Sequence, residues 1–237
     1  MKLSGRLVVV ILAVLALVIV AATDQILPAT SAYQAQVRVW LAARATGLVA
    51  LILVALLVVL GILLSHPEQT QWKLAKKMYP WHEALWVFVL AFLVVHIVSL
   101  VIDPYAGIGI GGALLPGLSA YRTAPVAVGV LALYALLITA LTARYTRLLP
   151  TGWWLKLHRL AAAVLALAWA HGVLAGTDTK SLAPVYWGIV LAVVAAAAHR
   201  YWIVRRARAA QRQAHPSLLV PVRQAVEESH VQPHPAP

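Results

Sequence analysis

Residues 81–105 read WHEALWVFVLAFLVVHIVSLVIDPY, an apolar run with His82 at its start and His96 well inside it. A second apolar run, LHRLAAAVLALAWAHGVLAG, carries His158 and His171. Both runs have the roughly 20 residues that a helix needs to cross a bilayer. Histidine is costly inside lipid and normally faces a partner, a cavity or a cofactor. These two runs therefore decide both the fold class and where to look for a functional site.

The composition identifies an integral membrane protein. Of the 237 residues, 62% are hydrophobic and only 11% are charged, whereas a soluble domain is about 25% charged. This surplus of apolar residues requires lipid as a solvent. The chain contains no cysteine, which excludes disulfides, thiolate chemistry, iron–sulfur clusters and zinc–cysteine sites.

The predicted fold class is all-α, a polytopic membrane protein built as a six-helix transmembrane bundle. The first of the six predicted spans also fits a secretory signal peptide that is cleaved near Ala22, and either outcome leaves the other five unchanged. The spans are expected at about Leu7–Thr23, Val39–Ser65, His82–Ile102, Ala124–Ala143, Leu157–Gly176 and Pro184–Val204.

The distribution of lysine and arginine predicts the orientation of the spans. With the N-terminus inside, most basic residues fall in cytoplasmic segments, and the outer loops hold only Arg38, Arg122 and Lys180. The formal net charge of +12 is then explained by membrane topology rather than by nucleic-acid binding. We expect a protein of a bacterial-type plasma (inner) membrane, with both termini in the cytoplasm.

Three parts are predicted along the chain. Residues 1–38 hold the first helix, or signal peptide, and an outer loop; residues 39–204 form the membrane domain; residues 205–237 form a basic cytoplasmic tail that is disordered at its end. The outer loop after the third span contains GIGIGG, which formally matches a dinucleotide-binding fingerprint. Such a fingerprint has to follow a strand and open a helix. We therefore interpret this segment as a flexible loop that folds over the outer mouth of the bundle.

The spacing of the histidines places them at two matched depths. Fourteen residues of α-helix rise about 21 Å and turn about 1400°, close to a whole number of turns, so His82 and His96 project from one face. Thirteen residues rise about 19.5 Å, so His158 and His171 lie at matching depths on the other helix. Their angular offset, about 140° from a common face, has to be corrected by a tight turn, by curvature or by different rotamers.

Histidines paired at two levels favour two haems, one above the other, over isolated hydrogen bonds between helices. Haem iron takes axial imidazoles on opposite faces of its ring. The expected iron ligands are His82 with His158 on the inner side and His96 with His171 on the outer side. His199 lies at the depth of the inner pair and is an alternative inner ligand.

Arg44 is a candidate for a cofactor contact on the outer side. It lies inside the second span, about five residues, or roughly 8 Å, below the outer boundary. One interpretation is that its side chain snorkels to the outer headgroups. The other is that its guanidinium contacts a haem propionate, since it can bond both oxygens of a carboxylate at once.

These motifs resemble the ferric reductase-like transmembrane domain family, which includes ferric reductases, NADPH oxidases and the haem-binding subunit of the bacterial methionine sulfoxide reductase system. The resemblance rests on the two histidine spacings, on RATGL at residues 44–48, on DPY at residues 103–105 and on AHGVLAGTD around His171. It covers about Val39–Trp202. It implies six helices with b-type haems (haem b) between the third and the fifth, and electron transfer across the membrane.

The sequence departs from ferric reductases and NADPH oxidases because no FAD- or NADPH-binding module follows the membrane domain. We therefore expect a separate electron donor, either a flavoprotein reductase that brings FAD or FMN and NADPH, or a quinol. A separate outer acceptor or catalytic subunit is also expected, so the chain is interpreted as an electron-transfer subunit of an oxidoreductase. The haem-binding subunit of a periplasmic methionine sulfoxide reductase system is the alternative within this class. A membrane transporter with a histidine proton relay is the alternative of another class, and spans nearly free of acidic residues disfavour it.

Overall fold

The computed structural model describes residues 30–65 and 73–214, and within these ranges it contains helices and short connections but no strand. A short 3₁₀ helix at Thr146–Leu148 is the only non-α helix in this part of the chain. The predicted all-α class is confirmed. In chain order the helices are α1 (Ala32–Leu64), α2 (Lys73–Ile102), α3 (Gly109–Leu114), α4 (Thr123–Arg144), α5 (Trp153–His158), α6 (Ala161–Ala175) and α7 (Ala183–Ala214).

Five stretches of helix in the described ranges are long and apolar enough to cross a membrane, which confirms a polytopic membrane protein. They correspond to the second to sixth predicted spans. The first predicted span, Leu7–Thr23, lies outside the described residues, so a count of six stays a prediction. The five stretches are Ala32–Leu64, Lys77–Ile102, Thr123–Arg144, Trp153–Ala175 and Ala183–Ala210.

Several helices extend beyond the predicted spans. α1 begins at Ala32 because the Ser31 side chain accepts a hydrogen bond from the Gln34 backbone N–H at 3.1 Å, the usual arrangement at a helix N-terminus. α7 continues to Ala214. The predicted boundary between residues 204 and 205 therefore falls inside one continuous helix.

The fifth predicted span consists of α5 and α6 joined by a tight turn. The backbone N–H of Leu160 donates to the carbonyl of Leu157 at 3.0 Å, and that of Ala162 donates to Arg159 at 3.2 Å. Such bonds between residues three apart turn the chain by about 120° per residue, against about 100° in an α-helix. The extra rotation has the direction that the thirteen-residue spacing of the histidines requires.

Two helix pairs form the frame of the bundle: α2 lies along α1, and α6 lies along α4. α2 and α6 make little direct backbone contact with each other, which leaves space between them. Halfway along, that space is closed by apolar side chains, which we call the central layer. Its buried members are Leu51, Val54, Ala55, Val89, Val164, Leu165, Tyr186 and Ile189. Val89, midway between His82 and His96, is only 1% exposed, so the layer separates the two histidine levels.

The segment between α2 and α4 is more ordered than the flexible loop that we expected, because it contains α3. Ile108, Gly112 and Ala113 are buried, and the Tyr134 hydroxyl donates to the carbonyl of Leu114 at 2.5 Å. The segment follows a membrane helix, and no strand precedes it within the described residues. Its GIGIGG motif therefore lacks the structural context of a dinucleotide-binding loop.

Candidate functional site

The four predicted histidines meet as two pairs across the space between α2 and the α5–α6 segment. His96 faces His171 with ring centres 6.5 Å apart and ring planes at 78°. His82 faces His158 with ring centres 6.1 Å apart and ring planes at 77°. The helices therefore bring together the same two histidine pairs that the sequence predicts. We refer to these as the 96–171 pair and the 82–158 pair.

Both separations match the room that one metal ion needs between two imidazoles. A metal–nitrogen bond of about 2.0–2.1 Å on each side, with about 1.1 Å from each nitrogen to its ring centre, puts the ring centres about 6.3 Å apart. The observed distances of 6.1 and 6.5 Å lie on either side of this value. Direct hydrogen bonding between the rings would bring them closer together. Each pair therefore fits two ligands on opposite sides of a metal.

Backbone contacts fix the protonation of the 96–171 pair. The Nδ1 atom of His96 lies 2.6 Å from the carbonyl oxygen of Ala43, and Nδ1 of His171 lies 2.8 Å from that of Pro125. A carbonyl oxygen can only accept, so in both rings Nδ1 carries the hydrogen and donates it. In the neutral ring this leaves Nε2 with a free lone pair, which is the form that binds a metal.

Two glycines allow the rings to approach the neighbouring helices this closely. A Cβ atom at Gly47 would lie 2.8 Å from Nδ1 of His96, and one at Gly129 would lie 2.6 Å from Nδ1 of His171. Both distances are shorter than real Cβ contacts. Gly47 on α1 and Gly129 on α4 are thus part of the site, although the histidine spacing alone gave no reason to select them.

The 82–158 pair has different surroundings. Nδ1 of His82 and Nδ1 of His158 are buried, and neither has a hydrogen-bond partner in the described residues. The Leu57 carbonyl lies beside His82, but its distance and angle to Nδ1 are outside those of a hydrogen bond. A Cβ atom at Gly61 would lie 3.5 Å from Cε1 of His82, an ordinary van der Waals contact. This pair is therefore held less tightly than the 96–171 pair.

A cavity of about 200 Å³ adjoins the 96–171 pair. It is larger than the engineered cavity of about 150 Å³ that admits benzene in a well-studied lysozyme variant, so it has room for part of a flat ring system. Its walls are largely apolar, and the central layer closes it at the level of Val54, Val89 and Val164. The cavity includes His96 and His171 but neither histidine of the other pair.

Arg44 stands at the mouth of this cavity. Its guanidinium forms an ion pair with Asp178 and lies 6.0 Å from the ring centre of Trp40. The Trp40 ring in turn meets the Tyr121 ring edge-on at 5.3 Å. The Arg44 side chain is only 22% exposed, so it lines the cavity and does not extend freely towards headgroups. The mouth therefore combines a cation, a carboxylate and two aromatic rings.

One further candidate ligand, His199, remains. His199, the alternative ligand, is exposed on α7, and the ring that faces His82 is that of His158. No cluster of three or more histidine, aspartate or glutamate side chains suited to a metal ion occurs in residues 30–65 and 73–214. A metal at either pair would therefore need further donor atoms from a bound group.

A family model described as "Ferric reductase like transmembrane component" matches residues 46–169, just over half of the chain. The chain belongs to the ferric reductase-like transmembrane family. This confirms the predicted resemblance and indicates a role in electron transfer across a membrane. The ferric reductase-like match includes His82, His96 and His158 and ends two residues before His171. Neither the curated proteins nor the solved structures give a match to this chain.

Proposed function

We propose that the protein binds two b-type haems, one at each histidine pair, and passes electrons between them across the membrane. One observation carries this proposal: both pairs have the ring separation of two imidazoles on opposite sides of one iron. Haem supplies a one-electron carrier when it is bound. His82, His96, His158 and His171 would be its axial ligands.

Haem fits the site better than a bare metal ion does. Each pair offers two nitrogen ligands, and within the described residues no further metal-binding side chain is grouped with them. A porphyrin brings four donors of its own, so the two histidines of each pair would supply the remaining ligands. The apolar cavity beside the 96–171 pair suits a flat hydrophobic ring.

In this mechanism the protein would orient the histidine rings and exclude water. The Ala43 and Pro125 carbonyls orient the rings of His96 and His171, while the central layer keeps the two levels apart in an apolar medium. In such a medium a positioned charge or dipole acts more strongly than it does in water. Arg44, which pairs with Asp178 at the cavity mouth, would bond a haem propionate in exchange for that carboxylate.

The proposed direction is from the cytoplasm outward, in a bacterial-type plasma membrane with both termini inside. The distribution of lysine and arginine supports this orientation, and it places the 82–158 pair on the cytoplasmic side. The donor would be a separate flavoprotein reductase or a quinol. The acceptor would be a ferric chelate or a separate outer catalytic subunit such as a methionine sulfoxide reductase.

An optical spectrum of the purified protein tests the proposal. Expressed with sufficient haem and reduced with dithionite, the protein should show a sharp b-type α-band, and a pyridine haemochrome assay should give about two haems per chain. A folded, monodisperse protein without haem would overturn the proposal. In that case the alternative of a histidine proton relay can be tested by measuring proton flux in liposomes.

A further inference from the structure

We infer that the two haem sites differ in midpoint potential, with the 96–171 pair holding the haem of lower potential. The positioning groups are the backbone carbonyls of Ala43 and Pro125. Gly47 and Gly129 bring these carbonyls within reach of the histidine rings. The inference rests on the proposed function and goes beyond it, because it assigns different redox roles to two sites with similar ring geometry.

The first step concerns the strength of the axial ligands. Each ring of the 96–171 pair donates its Nδ1 hydrogen to a carbonyl, at 2.6 Å for His96 and 2.8 Å for His171. Such a bond draws the proton away from the ring and raises the basicity of the other nitrogen. A more basic imidazole stabilises the ferric state, which carries one more positive charge than the ferrous state. The midpoint potential is therefore lowered.

The second step is that the 82–158 pair lacks this bond. In the described residues the buried Nδ1 atoms of its two histidines have no acceptor within hydrogen-bonding geometry. The Leu57 carbonyl, fourteen residues along α1 from that of Ala43, lies beside His82 but outside that geometry. A ring without an acceptor is the weaker donor, and its haem keeps the higher potential.

Charged groups near the two pairs act in the same direction as the hydrogen bonds. At the 96–171 pair the positive charge of Arg44 is paired with Asp178. Near the 82–158 pair the sequence places Lys77, Lys156 and Arg159 against Glu83 alone, and a net positive charge disfavours the ferric state. The glycine substitutions leave these charges unchanged, so they isolate the contribution of the hydrogen bonds.

The glycines provide matched substitutions. Gly47→Ala and Gly129→Ala place a methyl group 2.8 and 2.6 Å from the Nδ1 atoms of their histidines, which lengthens the hydrogen bonds. Gly61→Ala makes the same chemical change at the 82–158 pair, where the new Cβ lies 3.5 Å from the ring and no such bond exists. Gly61→Ala is thus the control.

A redox titration followed by optical absorption tests the inference in the full chain. His82→Ala should leave only the haem of the 96–171 pair, and His171→Ala only the other. The first variant should titrate at the lower potential. Gly47→Ala should then shift the lower potential of the otherwise unchanged protein to a more positive value, whereas Gly61→Ala should leave both potentials in place.

Equal potentials in the two one-haem variants, or the reverse order, would overturn the inference while leaving haem binding intact. An unshifted potential in Gly47→Ala with its haem retained would also overturn the role given to the carbonyl. If an alanine variant loses its haem, the order of the two one-haem variants still decides. A protein without any haem would contradict the proposed function itself, so the two failures are distinguishable.

Discussion

The 96–171 pair and the 82–158 pair have nearly the same ring geometry but different surroundings. Their ring planes cross at 78° and 77°. The first pair donates to two backbone carbonyls and adjoins a cavity, whereas the Nδ1 atoms of the second pair have no acceptor among the described residues. The spacing of the histidines along two helices determines which rings meet. The helices behind those rings determine how each ring is held, so similar ligand pairs can have different chemistry.

α1 contains the same fourteen-residue spacing that puts the two histidines of α2 on one face. Gly47 and Gly61 are fourteen residues apart, as are His96 and His82, and because α1 and α2 are antiparallel each glycine meets one histidine. α4 breaks the symmetry, since its single glycine, Gly129, meets His171 and it has no second glycine to meet His158. Three substitutions or insertions test how the two pairs differ.

The largest effect is expected from removing the ligands themselves. His96→Ala and His171→Ala should each lose the same haem, about half of the total, and should give the same reduced spectrum. His158→Ala should lose the other haem, because each pair is one site. The haemochrome assay with the spectrum measures this. His199→Ala is the matched control and should keep both haems, since that side chain is exposed on α7; a haem lost in that control would contradict the assignment of His158.

The next largest effect is expected from a one-residue insertion just after the tight turn between α5 and α6. One alanine inserted between Ala162 and Ala163 should rotate His171 by about 100° relative to His158 and abolish the 96–171 site while the 82–158 site remains. The same insertion after Ala209, in the part of α7 beyond the predicted sixth span, serves as the control. If the haem content after the first insertion equals that of the unmodified chain, the turn does not set the angle.

A smaller effect is expected at the cavity mouth. Arg44→Gln should weaken haem retention at the 96–171 site by about 1.5–3 kcal/mol, the value of a hydrogen bond to a charged group. That corresponds to roughly 10- to 100-fold in affinity. The rate and extent of haem transfer to apomyoglobin report this change. Asp178→Asn should change retention by less than about 1 kcal/mol, because its carboxylate is half exposed and such pairs contribute little. Equal losses in both variants would argue against a propionate contact.

The sequence was sufficient to predict five of the spans and the pairing of the histidines, because both depend on apolar length and on helical periodicity. It also contains the fourteen-residue spacing of Gly47 and Gly61, but this spacing acquires a meaning only when the structure pairs α1 with α2. The carbonyl partners of His96 and His171 could not be predicted in this way. Every residue has a carbonyl, and only the packing of α1 and α4 selects those of Ala43 and Pro125.

Because the acceptors of the 96–171 pair are main-chain atoms, no substitution of a side chain can delete them. Positions 43 and 125 are therefore expected to vary among related proteins without changing the hydrogen bonds, as long as the helices keep their register. The residues that selection must keep small are instead Gly47 and Gly129, one helical turn further along, because even a methyl group at these positions is too large. Among relatives of this chain, small residues at these two positions should accompany the paired histidines more faithfully than any polar side chain does.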